Sequence, residues 1–360
     1  MSLTREIVLD RLRTVQDPEL FRDIVSLNMV KHVELTGGVI DLIVELTTPA
    51  CPLKETIERD VRAALAALPG FKDLKLTFTA DVARATPQQN AAANNPLPRV
   101  KHIVAIGAGK GGVGKSTVAV NVAVGLGRYG ARAALLDGDI YGPSAPTLLG
   151  LGQEPPRTTG GNMLLPYERH GIGSMTIGQL VEPEKPLIWR GPMAHGAFRQ
   201  LATQTDWGDR DYLIIDLPPG TGDVPLTMSQ LLPLTGAVVV CTPQKVAQDD
   251  AVRALNMFRQ LQIPVLGVVE NMSWFIGDDG KEYDIFGRGG AEKMASRMGV
   301  PFLGAIPISM PLRAHSDAGT PLKNFDDPAL REHLDRVVRN LAGQVSVQAL
   351  TAKAPTLSVS

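Results

Sequence analysis

The sharpest chemical signal in the sequence is the run Gly109-Lys110-Gly111-Gly112-Val113-Gly114-Lys115-Ser116-Thr117, which fits G-x-x-x-x-G-K-[ST]. An apolar stretch, Val100 to Ile106, precedes it and a helical stretch, Thr117 to Arg128, follows, which is the context a phosphate-cradling loop requires. Glycines let the backbone curl until successive N–H groups face phosphate oxygens, and the helix N-terminus adds its positive end. Lys115 then supplies a cation for the β and γ phosphates of ATP, and the Ser116 hydroxyl a hard oxygen for Mg2+. Gly107-Ala108-Gly109-Lys110-Gly111-Gly112 also satisfies the dinucleotide pattern G-x-G-x-x-G, with Asp137 posing as a ribose-binding acid. That rival leaves Lys115 and Ser116 without a purpose, so the mononucleotide reading is preferred.

Two further loops carry carboxylates to the ends of apolar strands: Asp137-Gly138-Asp139 and Asp216-Leu217-Pro218-Pro219-Gly220-Thr221-Gly222-Asp223. Carboxylates so placed can hold Mg2+ through its waters or orient an attacking water, and Gly220 and Gly222 let the second loop follow the γ-phosphate. Each aspartate alone also reads as a helix cap or turn residue; a phosphate loop beside both favours the chemical reading.

The two cysteines, Cys51 and Cys241, are too few for a disulfide framework and point to a reducing compartment, with the cytoplasm as the default. Cys51 directly precedes Pro52, a residue suited to the first turn of a helix. Its thiol is therefore expected at a helix N-terminus, where N–H groups favour a thiolate, as in a reactive or metal-binding cysteine. A small buried apolar cysteine is the other reading, and both stay open. Cys241 ends the apolar run Gly236 to Cys241 and reads as core, where burial raises a thiol's pKa. The six histidines show no close paired spacing and suggest no zinc site.

The elements that must position these residues divide in two. A length of 360 residues suits two domains, and 44% hydrophobic with 20% charged residues is ordinary globular usage. Residues 1–82 read as a small α+β domain. Ile7, Val8, Leu12 and Val15 recur at helical spacing up to Asp17-Pro18, and strands Lys31 to Leu35 and Val39 to Thr47 flank Gly37-Gly38. A second helix carries Ile57, Val61, Leu65 and Leu68, and Leu74, Leu76 and Phe78 alternate on a last strand. Residues 83–99, rich in Gln, Asn, Ala and Pro, read as a flexible linker, and residues 343–360 as a fraying tail. Between them, residues 100–342 alternate helical stretches with short apolar strands: Val100 to Ile106, Ala131 to Leu136, Tyr212 to Ile215, Ala237 to Val240, Val265 to Val269 and Phe302 to Ile306. That order predicts a doubly wound, mostly parallel α/β sheet with its site at the strand C-terminal ends.

These residues resemble a known family. Gly109 to Thr117 is similar to the deviant phosphate loop of the MinD/ParA-type ATPases, with Lys110 as the extra lysine near the loop start. Leu135 to Pro146, Trp189-Arg190-Gly191-Pro192-Met193, Asp211 to Asp223 and Glu270-Asn271-Met272-Ser273 resemble its Mrp/ApbC branch of iron-sulfur cluster carriers. Asp17-Pro18-Glu19-Leu20 and Pro49-Ala50-Cys51-Pro52 are similar to the small iron-sulfur assembly domain that some members carry in front. The resemblance implies a homodimeric ATPase, slow or partner-stimulated, that receives clusters from scaffold or donor proteins and passes them to apo iron-sulfur proteins. It implies that Lys110 reaches the partner's nucleotide, Asp139 orients or activates the hydrolytic water, Asp216 supports Mg2+, and Asn271 contacts adenine, although Asn271 also reads as a strand-end turn residue. It further makes Cys51 a candidate iron-sulfur ligand. Where many members carry C-x-x-C, this sequence has Gly277 and Gly280, which cannot ligate iron through a side chain. One Cys51 per chain leaves a dimer short of four ligands, so glutathione, Cys241 or another protein would have to complete the set.

The alternatives are a positioning ATPase that binds membrane or DNA and a scaffold ATPase without cluster chemistry. A net charge of −1, from 36 basic and 37 acidic residues, offers no global field for nucleic acid or an anionic membrane. The N-terminus lacks the layout of a secretory signal, apolar runs fall short of the roughly 20 residues of a span, and no extended basic amphipathic segment follows Leu334, Val337, Val338 and Leu341.

Overall fold

The computed structural model describes residues 3–18, 20, 22–82, 95–152, 154–161, 163–180, 191–220, 223–277 and 279–351. Of the segments singled out above, Glu19, residues 83–94, Trp189-Arg190, Thr221-Gly222 and residues 352–360 lie outside the described residues.

The first domain comprises α1 (Arg5–Leu12), β1 (Val30–Thr36), β2 (Val39–Leu46), α2 (Lys54–Ala66) and β3 (Asp73–Ala80). β2 is the middle strand, antiparallel to β1 and parallel to β3. Its period-two pattern works as expected: Ile40, Leu42, Val44 and Leu46 are buried and the alternate positions are not. Gly37 and Gly38 take φ of 60° and 93°, the left-handed region that a tight turn between β1 and β2 requires. Ile57, Val61 and Leu65 of α2 and Val8 and Leu12 of α1 close over this face. α1 ends at Leu12, short of Val15, which leaves the helix yet joins the same core.

The second domain runs β4 (Val100–Gly107), α3 (Lys115–Arg128), β5 (Ala133–Asp137), β6 (Tyr167–Arg169), β7 (Ile172–Thr176), α4 (Gly191–Thr203), β8 (Arg210–Asp216), α5 (Asp223–Leu231), β9 (Gly236–Cys241), α6 (Lys245–Gln260), β10 (Val265–Glu270), α7 (Gly290–Met298), β11 (Phe302–Ala305), α8 (Met310–Asp317) and α9 (Pro328–Thr351). The sheet order is β6-β7-β5-β8-β4-β9-β10-β11, and only the β6–β7 hairpin is antiparallel. Strands covered on both faces need no alternation, and β5 and β9 are buried at every residue. The chain leaves central β4 toward β5 on one side and later returns to β9 on the other, so the loop after β4 opens at the switch point. β7 is the strand the sequence hides: in Ile-Gly-Ser-Met-Thr, the hydroxyls of Ser174 and Thr176 are buried by donating to the Tyr167 carbonyl and Asp137.

Two boundaries differ from the sequence expectation. Residues 343–351 are not a frayed tail, because α9 continues through buried Gly343 with Leu341, Val345 and Ala349 packed in the core, so the apolar stripe outlasts the glycine. The stretch expected as linker is fixed from Asn95 onward: Leu97 is buried in the large core and Arg99 pairs with Asp209 at 3.0 Å.

The two domains touch. Ala50 and Val82 join the large domain's core, Tyr212 donates its hydroxyl to Thr48 at 3.0 Å, and Lys101 pairs with Asp81 at 3.0 Å and Asp211 at 3.2 Å. α3 packs directly on α9 at Gly125, where a Cβ would stand 2.5 Å from Val338. Among the described residues, no helix is long and apolar enough to cross a membrane.

Candidate functional site

The loop between β4 and α3 owes its shape to its glycines. Gly112 and Gly114 take φ of 81° and 78°, and a Cβ on Gly114 would stand 2.2 Å from the Asn271 amide nitrogen. At Gly109 a Cβ would lie 2.1 Å from the Asp250 carbonyl, so the backbone there passes against α6. The residues Lys110 to Thr117 line a cavity of about 320 Å³ that Asp139, Ser144 and Pro219 complete.

Lys115 is the hub of this cavity. Its Nζ lies 2.5 Å from Asp216 Oδ1, 3.2 Å from Ser116 Oγ and 3.7 Å from Asp139 Oδ2. Burial raises the pKa of both carboxylates and Lys115 pulls against that rise in each. A lysine shared by two desolvated carboxylates can be re-addressed to phosphate oxygens without leaving either acid far from a cation. Ser116 and Asp216 present the hard oxygens that Mg2+ selects, and the nearby Asp139 adds a third, so the donors present fit that ion. Asp139 also borders a second cavity of about 500 Å³, lined by Tyr141, His195 and Pro218. Asp139 therefore borders both cavities. Lys110 lines the phosphate cavity, and among the described residues no carboxylate lies within ion-pairing distance of it.

Asp137 is fully buried and accepts from the amides of Asp139 and Ala145 and from Thr176 Oγ1. Burial, with the neighbouring Asp216 charge, pushes its pKa up to about 7. Asp137 thus braces the loops and has no free face for a ribose. Asn271 is 4% exposed and its amide nitrogen donates to the Val113 carbonyl at 2.8 Å, a contact that pins the phosphate loop.

Both thiols are buried, Cys241 as the sequence suggests and Cys51 within the first domain's core. Cys51 is not itself the start of a helix: α2 begins at Lys54, after a turn through Pro52 and Leu53 in which the Lys54 amide donates to the Cys51 carbonyl at 3.5 Å. Cys51 is 8% exposed and borders a cleft of about 420 Å³ between α2 and the ends of α3 and α9. Cys241 is 1% exposed, and burial with the adjacent Glu270 charge pushes its thiol up to about 12. Gly277 and Gly280 lie at the turn between paired segments Phe275–Ile276 and Glu282–Tyr283. Among the described residues, no three His, Cys, Asp or Glu side chains are grouped to hold a metal.

Sequence reasoning missed His195 and Tyr141 beside Asp139, and the Arg331-Asp335-Arg339 face at the Cys51 cleft. The spacing of four between the latter three was readable as one helix face, but nothing local says that Cys51 lies opposite.

A family model described as NUBPL iron-transfer P-loop NTPase matches residues 99–342, and one described as iron-sulfur cluster assembly protein matches residues 5–77. The iron-sulfur cluster carrier protein of Deinococcus radiodurans is 49% identical over 348 residues, 96% of this chain and 97% of that one. That of Synechocystis is 47% identical, over 97% and 99% of the two chains. A solved nucleotide-binding protein of Archaeoglobus fulgidus, in complex with ADP, is 36% identical with a TM-score of 0.58, covering 66% of this chain and 93% of that one.

Proposed function

The chain belongs to the NUBPL-type iron-transfer P-loop NTPases, and from that premise we propose that it is an ATP-hydrolysing iron-sulfur cluster carrier that takes up clusters and delivers them to apoproteins. The observation that carries the reading is the two-ended arrangement of α3: its N-terminus closes the phosphate loop at Lys115, and Arg128 at its other end lines the cleft of Cys51.

At the nucleotide end, the loop amides cradle the phosphates while Lys115 turns from Asp216 to the β and γ oxygens. Ser116 and Asp216 would hold Mg2+, which when bound would supply charge neutralisation at the phosphates. Asp139 orients the attacking water, and Lys110 reaches the nucleotide of a second copy, where an ammonium offsets the charge that develops during transfer. Asn271, whose buried amide donates to the Val113 carbonyl, holds the loop in shape, and the adenine contact that the family resemblance implies is part of this proposal. At the other end Cys51, 8% exposed at the edge of the cleft, provides the thiol ligand for the cargo, since Cys241 is 1% exposed within the sheet. The protein works in the cytoplasm, as a homodimer, without nucleic acid or membrane.

Anaerobic reconstitution with iron and sulfide, counted per chain, tests this. Cys51→Ser should lose cluster uptake and delivery together while keeping ATP hydrolysis; full loading of Cys51→Ser would overturn the cargo assignment.

A further inference from the structure

The cleft beside Cys51 is lined by four cationic side chains. Lys54 of α2, Arg128 of α3 and Arg331 and Arg339 of α9 face it, against the carboxylates of Glu55 and Asp335. Asp335 is already engaged: Arg128 pairs with it at 3.1 Å, and the Arg128 guanidinium is itself held over the Phe325 ring at 4.3 Å. Arg331 and Arg339 flank Asp335 at four-residue steps on one face of α9. Among the described residues, neither has a carboxylate within 4 Å. Two guanidiniums one turn either side of a committed acid form a fork-bearing wall, and guanidinium forks match carboxylates in pairs.

The volume limits the occupant. About 420 Å³ falls within the range of small-molecule sites and is far too small for a protein domain. The chemistry narrows it further, because the wall asks for more than one anionic group and Cys51, 8% exposed, borders the cleft. We propose that this cleft binds a small anionic thiol, a short cysteine-containing peptide with carboxylates at its ends, whose carboxylates pair with Arg331 and Arg339 and whose sulfur lies beside Cys51. Resting on the reading of Cys51 as the cargo ligand, the site supplies from solution the sulfur ligand that the chain lacks: Cys241 is buried in β9, and glycines stand at 277 and 280.

Reduced glutathione is the probe, with S-methylglutathione, whose thiol is capped, and inorganic phosphate as comparisons. Titration calorimetry on the full-length, iron-free protein under reducing conditions should show saturable binding of both peptides. Arg331→Gln with Arg339→Gln should weaken both by about tenfold or more, each single substitution by less, with ATP binding and Tm unchanged. Cys51→Ser should leave S-methylglutathione binding intact. On anaerobic reconstitution, glutathione should raise the iron bound by the parent chain but not by the double variant. Absence of saturable glutathione binding, equal binding by the double variant, or phosphate competing at equal affinity would each overturn the site. If the peptides bind with the expected arginine dependence but no cluster is ever loaded, the cargo reading fails and the thiol site stands.

Discussion

The two ends of α3 serve different chemistry and are built in opposite ways. At the phosphate end, most of the cavity wall comes from one unbroken run, Lys110 to Thr117, and Asp139 and Asp216 arrive from the neighbouring strands of one parallel sheet. At the cleft end, Cys51 comes from the first domain, Arg128 from α3 and Arg331 and Arg339 from α9, segments that meet only because the domains dock. Chemistry that needs a fixed backbone cradle is written contiguously; chemistry that needs a few charges around a thiol can be assembled from remote parts.

The largest effect that could break this contrast is at the hub. Lys115→Ala removes the cation shared by Asp216 and Asp139, so ATP hydrolysis should fall at least about 100-fold, read by phosphate release, while Cys51 chemistry with a thiol reagent stays unchanged. Hydrolysis at the parental rate would erase the distinction between the two ends. Next, Lys110→Ala should keep nucleotide binding and lose about tenfold or more in turnover. In a mixed dimer with Asp139→Ala, a lysine acting on the other copy gathers both defects into one site, so partial activity should return; confirmed mixed dimers without recovery count against it.

A smaller effect separates the thiols. Cys241→Ser places a hydroxyl in buried β9 and should cost about 1–3 kcal/mol in urea denaturation without selectively reducing iron loading. Selective loss of iron with parental stability would make Cys241 a ligand after all. The smallest concerns the docking itself. Burial works to raise the pKa of Asp211, but hydrogen bonds from Arg132 and Lys101 outweigh it and hold the carboxyl below its usual value. A folded pKa lower than the unfolded one adds stability above the unfolded value that is lost as pH falls through the folded one. Arg132 is half exposed, so solvent discounts the pair. Asp211→Asn should therefore cost about 1 kcal/mol at pH 7, the gap shrinking below about pH 4, in paired denaturation curves at both pH values.

The same contrast explains what could be read from the sequence. The phosphate loop, Asp139, Asp216 and the six expected strands were legible because glycine spacing and unbroken apolar runs are local consequences of backbone geometry and burial. β7 was not, since Ser174 and Thr176 hide inside by satisfying their own hydroxyls. Pro52 misled about Cys51: proline suits a first helical turn, but here it occupies the turn before α2. Gly343 misled about α9, where a stop signal lost to the packing of Val345 and Ala349. The cleft arginines carried no local mark, because their partner across the groove is about 280 residues away in sequence.

Gly125 gives the molecule a mechanical property. Because it lacks a side chain, α9 seats on α3 with Val338 filling the place of a Cβ, and the two helices bear on each other like a strut against a rod. A helix is stiff along its axis, and a close-packed contact leaves little slack to absorb displacement. α3 spans about 20 Å from the phosphate loop to Arg128 and at Gly125 bears on the helix that carries Arg331 and Arg339. The phosphate loop and the arginine wall of the cleft are thus joined by one continuous stretch of close-packed helix.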